Sequence, residues 1–294
     1  MNKLAAGSTA QTAAGEPATS PATTPPAVGP AARGEPGFTV RYSPRVSVII
    51  PTLNEAQNLP HVFAELPDDL HEVIIVDGFS TDGTPDVARQ LLPSAKIVHQ
   101  REPGKGDALR CGFEAATGEV LVMLDADGSA DPREIPSFVA ALLEGADFAK
   151  GTRFAPGAGS SDITRLRSAG NRLLSLTVNT LFRTRYSDLC YGYNAFWRHC
   201  LPAISVDCSG FEVETLINIR VARAGLSVCE VPSFERERIH GQSNLRTFRD
   251  GGRVLTTILR ERLRREQSVP QPLHSGSANS LAAELTELAI AENA

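Results

Sequence analysis

Asp125 and Asp127 stand two residues apart in Asp125-Ala-Asp-Gly-Ser129, straight after the apolar run Val120-Leu-Val-Met-Leu124. Where the backbone turns at a strand end, carboxylates at this spacing can be directed at one point. Two carboxylates beside a diphosphate require a divalent cation to offset their repulsion. Hard oxygen donors suit Mg²⁺ or Mn²⁺, with substrate phosphates completing the shell. Such a metal stabilises the charge developing on a leaving nucleoside diphosphate. An isolated Asp-x-Asp is usually a surface turn. Here two other polar clusters also follow apolar runs, which favours a site.

Those clusters are Pro51-Thr-Leu-Asn-Glu55 and Asp77-Gly-Phe-Ser-Thr-Asp-Gly-Thr84. Gly104-Lys-Gly106 opens a helical stretch and offers Lys105 to a phosphate, a weak signal alone. Gly210-Phe-Glu-Val-Glu-Thr215 carries Glu212 and Glu214. Either is a candidate general base for a hydroxyl acceptor. Both are equally explained as helix-start acids that suit the dipole. Their spacing sends them to different helix faces, so one at most faces a site.

The elements that must position these residues alternate along the chain. Apolar runs at 46–50, 72–77, 96–100 and 119–125 suit strands covered on both faces. Helical stretches at 55–66, 84–92 and 106–116 separate them. This order predicts an α/β fold with a parallel sheet and right-handed crossovers. Ligands of such sheets bind beyond the carboxyl ends of the strands. No Gly-x-Gly-x-x-Gly turn or Walker loop is present, which argues against dinucleotide and P-loop chemistry.

The 294 residues carry Lys+Arg 29 against Asp+Glu 34, a net charge of −5, and 41% are hydrophobic. That balance argues against a nucleic-acid partner. Residues 1–44 are rich in Ala, Pro and Thr and read as a disordered tail. Residues 267–294 read as a second flexible tail, with one short helical pattern at Leu281, Leu285 and Leu288. The folded domain is expected at 45–266. The 5 Cys form no Cys-x-x-Cys pair and the 6 His have no metal-ligand spacing. A reducing cytoplasmic location is therefore expected, with neither disulfides nor a zinc site. Tyr193 and Trp197 either stack on a ligand or pack the domain. No run of 18 apolar residues and no secretory leader is evident. Apolar stripes among arginines at 165–186 and 236–266 suggest either core packing or peripheral contact with an anionic membrane face.

Four segments match a known pattern in order and spacing: VSVIIPTLNE, VDGFSTDGT, PGKGDALRCGF and LDADGS. The chain resembles family 2 glycosyltransferases of the GT-A nucleotide-diphospho-sugar transferase fold, with a mostly parallel Rossmann-like sheet flanked by helices. Within them it is most similar to the polyprenyl-phosphate sugar synthases, of the dolichyl-phosphate mannose type. The similarity spans about 45–250.

The resemblance implies that Pro51, Leu53, Glu55 and Asp77 hold the nucleoside, and that Asp125 and Asp127 bind metal and diphosphate. Many lipid-phosphate members place Gln where this chain has Ser129. Arg153, in Gly151-Thr-Arg153, and Arg167 would bind an acceptor phosphate. Arg238-Ile-His-Gly-Gln-Ser243 resembles the loop that closes over the donor diphosphate, which assigns Arg238 and Ser243 there. Asn244 replaces that loop's Lys. The chemistry of phosphate agrees, because bringing a diphosphate against a phosphate requires several cations, and Arg suits their oxygens.

The expected activity is metal-dependent, inverting transfer of a sugar from a GDP- or UDP-linked donor to a polyprenyl phosphate. One alternative is transfer to a hydroxyl with Glu212 or Glu214 as base. Another is a catalytically silent nucleotide-sugar binding protein. Sequence leaves the oligomeric state open.

Overall fold

The computed structural model describes residues 42–242 and 247–264. The tail expected at 267–294 with its short helix, most of the tail expected at 1–44, and Ser243 and Asn244 lie outside the described residues. The elements in chain order are β1 (Val46–Thr52), α1 (Leu59–Ala64), β2 (Glu72–Asp77), α2 (Thr84–Leu91), β3 (Lys96–His99), α3 (Lys105–Ala115), β4 (Val120–Met123) and α4 (Ile135–Leu143). There follow β5 (Phe148–Thr152), β6 (Gly159–Ser160), α5 (Arg165–Phe182), β7 (Asn194–Trp197), α6 (Leu201–Ile204), α7 (Val213–Arg223), β8 (Val228–Pro232), β9 (Phe234–Glu235) and α8 (Thr247–Leu263).

A 7-stranded sheet runs β3-β2-β1-β4-β7-β5-β8. Only β7 is antiparallel to its neighbours. The sheet is therefore mostly parallel, as expected. In β1, Val46, Val48 and Ile50 pack into one core with α1, α2 and α4. Ile49 points to the opposite core, shared with α3, α6 and α7. This period of two is the strand's own geometry. Each fully buried Val or Ile contributes about 1.5–3 kcal/mol. A third core of Val178, Tyr186, Leu189, Ile219, Val254 and Ile258 joins α5, α7 and α8.

Several boundaries differ from those expected. β1 continues through Pro51 to Thr52. Pro51 still pairs with Val76 of β2, but β4 pairs with β1 only as far as Ile49–Met123, so proline is tolerated on that open side. β3 is an edge strand with Lys96 and His99 exposed, not one covered on both faces. The first helix begins at Leu59, not at 55, with Pro60 in its opening turn. Residues 55–58 are thereby left to the loop that faces the strand ends.

Candidate active site

A cavity of about 880 Å³ opens beyond the carboxyl ends of the strands. Its size suits a ligand of several rings or phosphates. Pro51, Leu53, Glu55, Lys105, Asp125, Asp127, Arg153, Arg167 and Arg238 all line it. Asp77 does not; it sits buried under Gly78, which does. Ser243 lies outside the described residues.

Lys105 opens α3, and its ammonium lies 2.6 Å from Asp125 and 2.8 Å from Glu214. Burial alone would pull the ammonium down, but the two carboxylates hold it well above its usual value. Burial pushes the Glu214 carboxyl up, with Lys105 acting against that shift. The flanking glycines are required by close backbone contacts, and Gly104 also lines the cavity. A Cβ at Gly104 would fall 2.0 Å from Ser209 O, and one at Gly106 would fall 2.1 Å from Cys208 O. The Gly106 N–H donates to Ser209 O at 2.9 Å. Glycine is required for this close approach, and it fixes the backbone that presents Lys105.

Arg238 spans Glu55 at 3.0 Å and Asp127 at 2.8 Å. Burial raises the Glu55 carboxyl, opposed by its hydrogen bond from Asn58 and by Arg238. Asn58 also accepts from His240 N at 2.9 Å and donates to His240 O at 3.2 Å, so it clamps the Arg238 loop. Ile239 N donates to Asp127 O, and Arg236 N to Ser129 O. Gly128, at φ +77°, lies where a Cβ would be 2.5 Å from Ile239 Cδ1. Ser129 orients Asp127 through its N–H at 2.9 Å and its hydroxyl at 2.6 Å.

Arg153 is buried at the end of β5. Its fork donates to Asp188 at 2.7 and 3.0 Å and to both Glu235 oxygens at 3.0 Å. The guanidinium also sits 4.8 Å from the Tyr191 ring centre. Burial would raise Asp188, but the bonds and charge of Arg153 keep it below the usual carboxylate range. Arg167, in the first turn of α5, is less committed, with one contact of 3.1 Å to Asp162. The Thr164 hydroxyl caps that helix by accepting from Arg167 N at 3.2 Å.

Glu214 lines the cavity, whereas Glu212 accepts from Gly210 N at 3.3 Å. Tyr193 stacks on Phe138 at 4.3 Å, and Trp197 donates to Ala146 O at 3.2 Å, so both pack the domain. Cys111 and Cys200 are buried, but Cys229 is exposed.

The donor chemistry fits a hard divalent cation. A Cβ at Gly192 would lie 3.2 Å from Asp125 Oδ2, so the glycine leaves that oxygen open space. Among the described residues no group of 3 or more His, Cys, Asp or Glu is disposed to hold a metal alone. Asp125 and Asp127 would thus supply two oxygens, with the rest coming from phosphate or water, as Mg²⁺ commonly binds.

Comparison with known proteins bears on this arrangement. The model of glycosyl transferase family 2 matches residues 47–211. A polyprenol monophosphomannose synthase of Mycolicibacterium smegmatis is 34% identical, over 72% of this chain and 85% of its own. An undecaprenyl-phosphate mannosyltransferase of Micrococcus luteus is 33% identical, over 68% of this chain and 87% of its own. A solved structure of glucosyl-3-phosphoglycerate synthase from Mycobacterium tuberculosis, in complex with Mn²⁺, UDP and glucosyl-3-phosphoglycerate, superposes with a TM-score of 0.61. It is 23% identical and covers 80% of this chain and 88% of that one, a likeness of fold.

Proposed function

The chain belongs to glycosyl transferase family 2, and from that membership we propose that it moves a sugar from a nucleoside diphosphate to a polyprenyl phosphate. The observation that carries the reading is the single cavity lined by Asp125, Asp127, Lys105, Arg153, Arg167 and Arg238. A donor diphosphate and an acceptor phosphate repel; the four cations hold the cavity's own carboxylates in check, and a divalent cation at Asp125 and Asp127 would add the positive charge that offsets the repulsion. The two relatives named for polyprenyl-phosphate mannosyl transfer support the acceptor class.

Glu55, Pro51, Leu53 and Asp77 hold the nucleoside end. Lys105, Arg238 and Ser243 serve the donor diphosphate. Asp125 and Asp127 would hold Mg²⁺ or Mn²⁺, which supplies positive charge against the diphosphate when bound. Arg167 contacts the acceptor phosphate, and Arg153 offsets the charge of Asp188 and Glu235 behind it. An acceptor oxygen bonds to the anomeric carbon as the bond from that carbon to the diphosphate oxygen breaks. The electron pair leaves with the nucleoside diphosphate, and attack from the opposite face inverts the centre. The acceptor is already anionic near neutral pH, so no proton is moved. Positioning and electrostatics then supply the rate.

One observation favours a second reading. Glu214 lines the cavity, and burial raises its carboxyl, as a general base for a hydroxyl acceptor would need. Its contact with Lys105 opposes that role.

We further propose that the chain acts at a membrane face. No helix among the described residues is long and apolar enough to cross a membrane. Leu166, Leu173 and Leu176 on α5 and Leu255, Leu259 and Leu263 on α8 are exposed. Arginines at 165, 172, 260 and 264 accompany them. Such a surface suits anionic lipid. Flotation with anionic vesicles at low salt tests it, and a protein that stays wholly in the aqueous fraction would count against it.

A transfer assay tests the main reading. Protein, Mg²⁺ or Mn²⁺ and polyprenyl phosphate are offered labelled GDP-mannose, UDP-glucose and UDP-N-acetylhexosamines. Label entering an organic-extractable product that mild acid releases is the expected result. Donor hydrolysis without such a lipid would overturn it and direct attention to Glu214.

A further inference from the structure

We propose that Asn58 is a positioning residue for the donor diphosphate, holding Arg238 at the cavity wall through Glu55 on one side and the His240 backbone on the other. The inference rests on the reading of Arg238 as a cation for that diphosphate. Asn58 is only 2% exposed and does not line the cavity, so it acts through its neighbours.

Its place in the chain predicts a different task. Asn58 stands at the N-cap of α1, where an Asn side chain ordinarily accepts from an N–H of the first turn. Here the side chain makes no such bond. Its Oδ1 instead accepts from His240 N at 2.9 Å, and its Nδ2 donates to His240 O at 3.2 Å. One amide thus closes on both backbone polar groups of a residue 182 positions away. The same Nδ2 also donates to Glu55 Oε2. The other oxygen of that carboxylate, Oε1, accepts from Arg238 Nη1 at 3.0 Å. Arg238 Nη2 then reaches Asp127 Oδ2 at 2.8 Å.

The two routes converge on one guanidinium. The backbone is pinned two residues before Arg238, by Arg236 N donating to Ser129 O at 2.8 Å, and two residues after it, by His240 on Asn58. Asn58 also orients the Glu55 carboxylate, which therefore offers Arg238 a fixed direction. A long side chain ordered before its ligand arrives loses less freedom when the ligand binds. Donor affinity should accordingly depend on a residue that the donor never touches.

A double-mutant cycle tests the proposal, by calorimetric titration of the full chain with GDP and with UDP, each with Mg²⁺. Asn58→Ala and Arg238→Ala should each weaken the nucleotide that the wild type binds by at least about tenfold. Because Asn58 acts through Arg238, adding Asn58→Ala to Arg238→Ala should weaken binding by less than about twofold more. A residue that only supported the fold would give losses that multiply. Asn58→Asp keeps the side chain's size and the bond from His240 N but loses both donations, so it replaces Asn58→Ala in the cycle if truncation disturbs folding. Circular dichroism reports the fold of each variant. Losses that multiply, or unchanged affinity in a folded Asn58 variant, would overturn the role of Asn58 and leave the donor reading intact. Failure of both Asn58 variants to fold would overturn it as well, since Asn58 would then hold the domain rather than Arg238. Unchanged affinity in Arg238→Ala, or a wild type that binds neither nucleotide, would overturn the donor reading and this inference with it.

Discussion

The Lys105 ammonium lies 2.6 Å from Asp125 Oδ1, so the first carboxylate of the Asp-x-Asp pair carries its own cation. Arg238 stands in the same relation to the second, 2.8 Å from Asp127 Oδ2. Each cation also bridges to a glutamate, Lys105 to Glu214 and Arg238 to Glu55. The four carboxylates, drawn from three separate parts of the chain, therefore have directions fixed by two cations. Electrostatic preorganisation of this kind requires little rearrangement during reaction.

Asp127→Ala should lower the transfer rate by about 10²–10³, the loss typical of a key electrostatic group. The variant should still fold, because Asp127 is partly open to the cavity. Single-turnover kinetics with saturating donor, alongside circular dichroism, separates the two effects. An unchanged rate would remove Asp127 from the metal and diphosphate site.

Lys105→Met should destabilise the fold by about 3–5 kcal/mol, because it leaves Glu214 buried and unpaired beside Asp125. Removing the second charge as well, in Lys105→Met with Glu214→Leu, should restore much of that loss. Urea midpoints of the single and double variants measure the difference. Equal midpoints for wild type and Lys105→Met would show that the pair is not buried as described.

Much of this was legible in the sequence. Asp125 and Asp127 could be assigned to a site because their motif follows an apolar strand, and Arg167 and Arg238 because the chain resembles a known family; all four line one cavity. The mostly parallel sheet was legible for the same reason. What sequence could not give was which partner each charge takes. Arg153 read as an acceptor-phosphate cation, yet its fork is engaged by Asp188 and Glu235, which are 35 and 82 residues away in the chain. Gly104 and Gly106 read as a phosphate turn, and their close contact with Ser209 and Cys208 is a further demand for glycine, set by distant backbone that no local pattern reveals. The end of β1 at Pro51 was misplaced because the length of β4, not β1, decides whether proline is tolerated there.

Asp107 gives the fold a pH dependence of predictable sign. Its carboxylate accepts from Arg101 N at 2.7 Å and Glu102 N at 2.8 Å and pairs with Arg110. Burial would raise it, but these bonds and the Arg110 charge lower it overall. A depressed folded value means that the stabilisation is complete above the unfolded value near about 3.9 and is lost as pH falls through the folded one. At pH 7 Asp107→Asn should therefore be less stable than wild type by about 1.5–3 kcal/mol, the range for hydrogen bonds to a charged group. The gap should close as pH drops below about 4. Denaturant titrations at several pH values check this, and a gap that persists undiminished at low pH would contradict it.

Arg153 and Arg167 line the same cavity but should fail in opposite ways. Arg153 is almost wholly enclosed, and Asp188 beneath it has no exposure at all. Arg153→Ala leaves two acids, Asp188 and Glu235, without their cation, so it should cost about 3–5 kcal/mol of stability. Among the described residues Arg167 pairs only with Asp162, whose side chain is 39% exposed, at 3.1 Å. A contact so open to solvent is worth about 0–1 kcal/mol, so Arg167→Ala should melt almost like wild type. Its loss should appear in the acceptor, with KM for polyprenyl phosphate rising at least about tenfold while KM for the donor stays constant, because a charge-assisted phosphate contact of about 1.5–3 kcal/mol is removed. Thermal melts together with kinetics at varied acceptor separate the pair. A normal acceptor KM in Arg167→Ala would sink its assignment, and a wild-type melt in Arg153→Ala would contradict the buried network.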